Sequence, residues 1–209
     1  MTLVVCVATK LEAAGLPDTG SIAGTSFRVV RTGVGPVNAA LGLARTLVSS
    51  PAEEVRIVSL GVCGAYPGSG IAVGSVVTAS SECYGDLGAD SPGGFLDMES
   101  LGFPVVGEHF NSLPVDLFPT QERVPFVTRS TCTGTDRAAR EIAARTGGAV
   151  ESMEGAAIVH TAVAHGLSVG EVRGVSNPVG DRDRSKWRLH EAADAAARAL
   201  ENWIEELGC

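Results

Sequence analysis

The 209-residue sequence has no apolar run of the length that a membrane-spanning helix needs, and its first eight residues lack the basic flank of a signal peptide. Basic residues are also few: 16 Lys and Arg stand against 24 Asp and Glu, which gives a net charge of −8. A surface that binds nucleic-acid phosphates needs a basic patch, and the basic residues here are scattered except in segment 182–188. We therefore expect a cytoplasmic protein that binds neither nucleic acid nor a membrane.

The cysteines are odd in number and form no C-x-x-C pair, which argues against a disulfide framework and against a zinc site. Most lie in apolar, strand-like contexts, as expected of reduced thiols that act as small core hydrophobes. They are Cys6, Cys63, Cys83, Cys132 and Cys209. The Gly33-x-Gly35 pattern has Asn38 where a dinucleotide-binding fingerprint has its third glycine, so a dinucleotide is not indicated. We expect no cofactor and no metal.

Strand-like and helix-like segments alternate along the chain, which predicts a single domain over residues 1–209 with a three-layer α/β/α sandwich. The predicted strands are 3–8, 27–30, 55–60, 74–81, 125–132, 148–151 and 170–175, and the predicted helices begin at Pro36 and near Met153 or span 138–146 and 189–207. Two strands flank the segment 61–74 with no helix between them, so we expect a mixed rather than a purely parallel central sheet.

The helix that begins at Pro36 is predicted to pack on the sheet, because its apolar residues recur at helical spacing. These residues are Val37, Ala40, Leu41, Ala44, Leu47 and Val48. The longest irregular region, 82–123, is rich in Gly, Pro and Asp. Long loops in compact domains are usually functional or mobile, so we expect this region to hold short elements and to cover a binding crevice.

Polar residues follow the ends of three predicted strands. Glu12 lies just beyond the first strand, Glu154 follows strand 148–151, and Asn177 follows strand 170–175. In open α/β sheets, small ligands bind in the crevice beyond the carboxyl ends of the strands. If the last two strands are parallel neighbours, Glu154 and Asn177 face one crevice.

Each of these residues also has a simpler interpretation. An acid such as Glu154 in the first turn of a helix is favoured by the helix dipole in any protein, and Glu12 alone suggests a solvated surface acid. Asn177 precedes Pro178, and Asn-Pro commonly starts a turn. The glycines Gly61 and Gly64 would let the backbone approach a ligand, but they suit a tight strand exit equally well.

Two segments carry a resemblance to known families. The run "ESMEGAA", residues 151–157, resembles the ribose-binding signature of the purine nucleoside phosphorylase and nucleosidase superfamily. The run "VRGVSNPVGDRDRSKW", residues 172–187, resembles more narrowly the futalosine hydrolases, nucleosidases of the alternative menaquinone pathway. The resemblance implies a phosphorylase-like fold, hydrolysis of an N-glycosidic bond, and a homo-oligomer with a dimer favoured.

The resemblance also implies roles for individual residues. Glu12 would activate the attacking water, Glu154 would bind the ribose hydroxyls, and Met153 would lie under the sugar. The other predicted substrate-binding residues are Val62, Cys63 and Gly64 around the ribose and base, Gly134 and Thr135 of "CTGT" beside the base, and Ser176 next to Asn177.

Asn177 is a departure from the methylthioadenosine/S-adenosylhomocysteine nucleosidases, which resemble the chain and carry Asp at this position. An amide cannot donate a proton as an acid, but its NH2 can donate hydrogen bonds to O6 and N7 of a 6-oxopurine. This pattern agrees with hypoxanthine, the base of futalosine. Asp181 and Asp183 remain alternative acids beside the leaving purine.

Several functions remain open at this point. A methylthioadenosine/S-adenosylhomocysteine nucleosidase and a non-catalytic nucleoside sensor share the expected fold. Phosphorolysis is disfavoured, since a carboxylate at Glu12 would repel phosphate. Trp187 and the basic segment 182–188 either contact the carboxyaryl group of futalosine or belong to a solvated loop in which Trp187 packs on the sheet.

Overall fold

The structure is a computed structural model that describes residues 1–49, 54–120 and 122–208, so that Cys209 lies outside the described part. The strands are β1 (Thr2–Val7), β2 (Thr19–Ile22), β3 (Thr25–Arg31), β4 (Val55–Ala65), β5 (Val76–Tyr84), β6 (Gly88–Ser91), β7 (Gly94–Asp97), β8 (Leu113–Pro114), β9 (Arg123–Thr128), β10 (Val150–Ser152) and β11 (Val169–Pro178). The helices are α1 (Pro36–Val48), α2 (Met98–Leu101), α3 (Asp136–Thr146), α4 (Gly155–Ala164) and α5 (Leu189–Leu207), and a 3₁₀ turn spans Arg184–Lys186.

The first strand shows how the apolar runs build a buried sheet. Leu3 and Val5 point to one face, where they pack with α5 residues such as Leu200, and Val4 and Cys6 point to the other face. Successive side chains of a strand alternate between faces, so a continuous apolar run fills two layers of core at once. The predicted three-layer arrangement is confirmed, with α1 and α4 on one face of the sheet and α5 on the other.

The large sheet is mixed, as predicted. Its strand order is β10-β9-β5-β11-β4-β1-β3-β2, with β8 beside β5. In its centre, β11 runs parallel to β4 and pairs antiparallel with β5. Consequently β4 and β5 are not paired side by side, although they follow each other in the chain.

One part of this sheet closes on itself. Strand β10 runs parallel to β9 and also pairs antiparallel with β4, which brings Glu151 opposite Gly64. Strand β11 pairs with β4 in the parallel sense, so β10 and β11 run in opposite directions. They are therefore not the parallel neighbours that we considered. The ends of both strands nevertheless lie beside Gly64 of β4, with which Glu151 and Asn177 both pair.

Strand β4 is longer than predicted. It continues past Leu60 through the segment 61–65, because that segment stays hydrogen-bonded to β11. The short strands β2, β6, β7 and β8 were not predicted, since none of them has an apolar run that marks a strand. In the described part of the irregular region, β6 and β7 form a hairpin and α2 follows, so the expectation of short elements there is confirmed.

Helix α1 forms where predicted, but its packed face is different. The buried residues are Ala39 and Leu43, whereas Val37, Leu41 and Val48 are 71%, 50% and 82% exposed. The prediction that these three residues pack on the sheet was wrong, because helical spacing alone does not identify the core-facing side. No helix of the described residues combines the length and apolarity that crossing a membrane requires.

Candidate active site

A cavity of about 400 Å³ opens at the carboxyl ends of β1, β4 and β11. Carboxyl ends of parallel strands meet at one edge of a sheet, where the backbone turns away and leaves a crevice. The cavity is lined by Ala8, Thr9, Leu11, Glu12, Val34, Val62, Cys63, Gly64, Cys132, Thr133, Glu151, Ser152, Met153, Glu154, Ser176, Asn177, Val179, Trp187 and Leu189. The three predicted catalytic residues thus share one cavity.

Glu12 is a buried acid, contrary to its interpretation as a solvated surface residue. Its Oε2 accepts from the backbone N–H and the hydroxyl of Thr9, both at 3.1 Å, and its Oε1 accepts from Val62 N–H at 3.2 Å. Arg173 Nη1 lies 3.5 Å from the same Oε1. These donors fix the position of the Glu12 carboxyl group, which faces the cavity.

Glu154 is the N-cap residue of α4 rather than a residue of its first turn, and its side chain does not cap that helix. Instead its Oε1 accepts from Gly35 N–H at 2.9 Å, and its Oε2 lies 3.7 Å from Arg173 Nη1. Burial raises the pKa of Glu154 above the usual glutamate value, while Arg173 and the Gly35 N–H oppose that rise. The helix-dipole interpretation therefore does not account for its contacts.

Arg173 joins the two acids and was missed in the sequence. The side chain is buried, and its guanidinium also donates to Glu171 Oε1 at 2.7 Å and to Ser59 Oγ at 3.1 Å. Burial opposes its charge, but the carboxylates of Glu171, Glu154 and Glu12 outweigh burial and raise the pKa of Arg173. A signal was present: Glu171 and Arg173 are two residues apart in an apolar strand, so both point to the same face.

Another buried acid, Glu82, lies next to Glu171. Its Oε1 accepts from Thr128 Oγ1 at 3.0 Å, and burial and the Glu171 carboxylate, to which it is hydrogen-bonded, raise the pKa of Glu82 well above the usual value. The raised pKa favours the neutral form of Glu82 beside the Glu171 carboxyl group. A Cβ on Gly155 would lie 2.1 Å from Glu82 Oε1 and 2.2 Å from Glu171 Oε2, so only glycine fits at the start of α4.

Asn177 lies in the cavity wall with its amide bonded within its own loop. Its Nδ2 donates to the Pro178 carbonyl at 2.9 Å, and its Oδ1 lies 2.7 Å from Ser176 Oγ. The Ser176 hydroxyl also lies 3.1 Å from the Cys63 carbonyl. The turn interpretation of Asn177 thus holds together with its place in the cavity, and one amide hydrogen is left without a partner in these contacts.

The cavity is also lined by a third acid, Glu151, which sequence reasoning missed. Glu151 Oε1 accepts from Thr133 N–H at 2.8 Å, and its Oε2 accepts from Tyr66 Oη at 2.6 Å and from the Thr133 hydroxyl. Beside them, Cys132 Sγ lies 3.2 Å from Met153 Sδ at the cavity rim. In the sequence, Glu151 was visible only as part of the ribose-binding signature.

Four candidates do not line the cavity. Gly134 and Thr135 follow Thr133, which does line it, and Thr135 caps α3 by accepting from Ala138 N–H at 3.2 Å. Asp181 accepts from the backbone N–H of Asp136 at 3.0 Å. Asp183 accepts from Ser185 N–H at 3.1 Å, in the 3₁₀ turn.

The described residues of 82–123 do not line the cavity either, so the expectation that this region covers the crevice is not met there. Trp187 does line it, and the guanidinium carbons of Arg182 and Arg184 lie 5.0 and 6.0 Å from the centre of its ring. Trp187 therefore combines an apolar ring at the cavity with two exposed cations outside it.

Comparison with known proteins agrees with this geometry. Residues 12–207 match the family model of the phosphorylase superfamily. The chain is 36% identical over 197 residues to the futalosine hydrolase of Thermus thermophilus, which covers 88% of this chain and 84% of that protein. It is 37% identical over 192 residues to the futalosine hydrolase of Streptomyces coelicolor, with 84% and 80% covered.

The fold is also that of solved nucleosidases. The structure of the 5'-methylthioadenosine/S-adenosylhomocysteine nucleosidase from S. pneumoniae with a transition-state inhibitor matches with a TM-score of 0.82. That match covers 99% of this chain and all of the other, at 21% identity, and so bears on the fold alone. From the family model and the two curated relatives, the chain belongs to the phosphorylase superfamily and, within it, to the futalosine hydrolase family.

Proposed function

We propose that the protein hydrolyses the N-glycosidic bond of futalosine and releases hypoxanthine and dehypoxanthine futalosine, a step of menaquinone biosynthesis. The observation that carries this proposal is the pair of buried acids, Glu12 and Glu154, which face one cavity and share the guanidinium of Arg173. Membership of the futalosine hydrolase family supports the choice of substrate.

Glu154 and Glu12 have different roles at the ribose. Glu154 binds the vicinal ribose hydroxyls and holds the sugar while the glycosidic bond stretches. Glu12 accepts a proton from the water that attacks the ribosyl carbon. Arg173 keeps both carboxylates in position, since its Nη1 lies within 4 Å of each. Met153, at the rim beside Glu154, lies under the sugar.

The purine leaves with negative charge, which Asn177 stabilises through a hydrogen bond from its amide. Its Oδ1 lies beside Ser176 Oγ and one Nδ2 hydrogen is bonded to the Pro178 carbonyl, so the other amide hydrogen is left for the base, where O6 and N7 of hypoxanthine both accept. Asp181 and Asp183 are bonded elsewhere and do not line the cavity, which supports Asn177 over either acid.

The remaining contacts to the nucleoside come from the cavity wall. The segment Val62, Cys63 and Gly64 lines the ribose and base region. Of the "CTGT" segment, Cys132 and Thr133 line the cavity, so we assign to them the base contacts that the resemblance implied for Gly134 and Thr135. The carboxyaryl group of futalosine stacks on Trp187, with its carboxylate toward Arg182.

Hydrolysis is favoured over phosphorolysis by the charge of the site. A phosphate would have to approach Glu12, whose carboxylate is buried and faces the cavity. Arg173 is the cation in that region, and Glu171, Glu12 and Glu154 already surround it. Water is the smaller and uncharged nucleophile.

We further propose that the protein acts in the cytoplasm as a homo-oligomer. Cys6, Cys63, Cys83 and Cys132 are free thiols, as expected in a reducing compartment. The exposed apolar residues Val37, Leu41 and Val48 have spacings of four and seven residues, which puts them on one face of α1, and the exposed Val34 lies just before the helix. A second copy of the chain is the occupant that we propose for this stripe, defined by these four residues.

The test is chromatography of the purified protein incubated with futalosine, with and without phosphate. We expect hypoxanthine release that does not depend on phosphate and that is lost in Glu12→Gln and Glu154→Gln. Adenine release from methylthioadenosine without release from futalosine would overturn the proposal in favour of the related nucleosidase. Recovery of unchanged futalosine despite measurable binding would overturn it in favour of a sensor.

A further inference from the structure

Two buried acids, Glu82 on β5 and Glu171 on β11, have no role in the proposed chemistry. Both are fully buried and neither lines the cavity, so neither touches a nucleoside bound there. They belong to strands that pair with each other, and their side chains are hydrogen-bonded to each other. Burying a carboxylate costs free energy even when it is paired, so two adjacent buried acids need an explanation.

Each of these acids has a donor for one of its two oxygens. Glu82 Oε1 accepts from Thr128 Oγ1 at 3.0 Å, and Glu171 Oε1 accepts from Arg173 Nε at 2.7 Å. The Oε2 atom of each acid is buried and has no N–H or O–H donor among the described residues. One proton on the pair supplies a donor, because a protonated carboxyl group donates to the carboxylate beside it. Burial and the charge of Glu171 raise the pKa of Glu82 well above its usual value, in agreement with a retained proton.

Thr128 connects the acid pair to the start of α4. Ala156 N–H donates to Thr128 Oγ1 at 2.7 Å, so the hydroxyl hydrogen of Thr128 is free to point to Glu82. Ala156 lies in the first turn of α4, two residues after Glu154, which is the N-cap of that helix. The same helix start therefore holds Glu154 and is bonded, through one hydroxyl, to a member of the pair.

The shortest contact of the Arg173 guanidinium is the one to Glu171. Its Nε lies 2.7 Å from Glu171 Oε1, whereas its Nη1 lies 3.5 Å from Glu12 Oε1 and 3.7 Å from Glu154 Oε2. Its Nη2 donates to Ser59 Oγ at 3.1 Å. A guanidinium is planar, so contacts that fix Nε and Nη2 also fix the place of Nη1. Glu171 thus helps to determine where Arg173 presents Nη1 to the two cavity acids.

Arg173 is the cation that the acid pair faces. The groups that interact electrostatically with one of the two acids are Arg173, Glu154, Cys63, Cys83 and Tyr84. Burial raises the pKa of both thiols and of the tyrosine, so these three groups stay neutral. Burial also lowers the pKa of His160, which lies beside Tyr84 Oη, and so favours its neutral form. A second negative charge on the pair would therefore act mainly on Arg173 and Glu154.

We infer that Glu171 and Glu82 share one proton and act as positioning residues, which hold the Arg173 guanidinium where its Nη1 serves both Glu12 and Glu154. This inference rests on the proposed function and deepens it. With one proton, the pair presents a single negative charge to Arg173 Nε. Without the proton, the second charge draws the guanidinium away from the cavity and opposes ionisation of Glu154. The pair thus acts on both cavity acids without touching the substrate.

Three variants separate the shared proton from simple packing. Glu82→Gln keeps a donor beside Glu171 without a charge, and Glu82→Leu removes that donor at similar size. Glu171→Gln removes the negative charge at Arg173 Nε. The exposed Glu108→Gln is the control for the loss of a glutamate. The measurements are kcat and KM for futalosine across pH, on folded protein, and infrared spectroscopy of the substrate-free protein, which detects a protonated carboxyl group.

We expect Glu171→Gln and Glu82→Leu to lower kcat by on the order of 10- to 100-fold with a smaller change in KM, because a displaced guanidinium misplaces Glu12. Glu82→Gln should restore kcat relative to Glu82→Leu, and should retain it at alkaline pH values at which the wild type declines. A variant that merely folds less well would lower the active fraction but keep the pH profile. Equal kcat in Glu82→Gln and Glu82→Leu, or wild-type kcat in Glu171→Gln, would overturn the inference.

The infrared measurement separates this inference from the proposed function. We expect a protonated carboxyl band in the wild type that is lost in Glu82→Gln. Such a band in a protein that does not cleave futalosine would overturn the proposed function and leave the shared proton standing. Cleavage of futalosine by a wild type whose spectrum does not change in Glu82→Gln would overturn the shared proton alone.

Discussion

Arg173 Nη1 lies 3.5 Å from Oε1 of Glu12, in a buried ion pair at the floor of the cavity. The pair has room because β4 carries Gly61 at the point of contact. A Cβ on Gly61 would lie 2.4 Å from Glu12 Oε1 and 2.5 Å from Arg173 Nη1. In the sequence, Gly61 suited either a close approach of the backbone to a ligand or a tight strand exit; in the structure it leaves the space that these two side chains occupy.

Gly61→Ala should therefore displace the carboxylate of Glu12. A displacement of about 1 Å in a positioned group can cost on the order of 100-fold in rate, so we expect a loss of that size in kcat for hypoxanthine release. Gly93→Ala is the matched control, because a Cβ there meets nothing closer than 3.8 Å. Full activity in Gly61→Ala would contradict the assigned role of the Glu12–Arg173 pair.

The raised pKa of Glu82 predicts a pH dependence of stability. Its pKa is raised in the folded protein, so between the ordinary value of 4.5 and the folded value the unfolded chain releases a proton that the folded protein keeps. The contribution of Glu82 to stability is therefore fully present below 4.5 and is lost as the pH rises through its folded pKa. Glutamine at this position would mimic the protonated acid at every pH.

We expect Glu82→Gln to match the wild type in acid and to become the more stable of the two as the pH rises. Denaturant unfolding of both proteins across that pH range measures the difference, with the exposed Glu108→Gln as the control for loss of a glutamate. A difference that stays constant with pH would show that Glu82 does not carry the proton.

Substitution of Arg182 tests whether this residue contacts the carboxyaryl group of futalosine. If the carboxylate of futalosine lies beside Arg182 and Trp187, Arg182→Ala should raise KM for futalosine by roughly 3- to 10-fold, as expected for an exposed charge-assisted contact. Steady-state kinetics on inosine, which lacks the tail, should show no such change. The control is Arg56→Ala at the opposite end of β4. Equal effects on both substrates would contradict contact with the tail.

The exposed stripe on α1 predicts the assembly state. Replacing Val37 and Leu41 by Lys should bury charge in the proposed contact between copies and shift the protein toward monomer, as measured by sedimentation velocity. Phe103→Lys is the control, since Phe103 is 63% exposed and lies outside the stripe. An unchanged sedimentation coefficient in the stripe variant would mean that another surface joins the copies.

Local patterns in the sequence were sufficient for much of the architecture. Apolar runs and helical periodicity identified β1, β4, β11, α1 and α5, because strand and helix formation depend mainly on neighbouring residues. The positions of Glu154 and Asn177 after strand ends suggested one crevice, since α/β sheets collect such ends at one edge. The role of Glu12 came from the family resemblance, because its position alone favoured a solvated surface acid.

The charges inside the protein were decided only by the tertiary structure. Arg173 has one partner, Glu171, two residues away in its own strand, but its other partners come from other elements. Thr128, the hydroxyl partner of Glu82, also comes from another strand, and these larger sequence separations carry no local pattern. The same holds for Glu151, whose donors come from Tyr66 and Thr133. The exposed side of α1 is a further case, because periodicity shows that a helix has an apolar face but not whether the sheet or a second chain covers it.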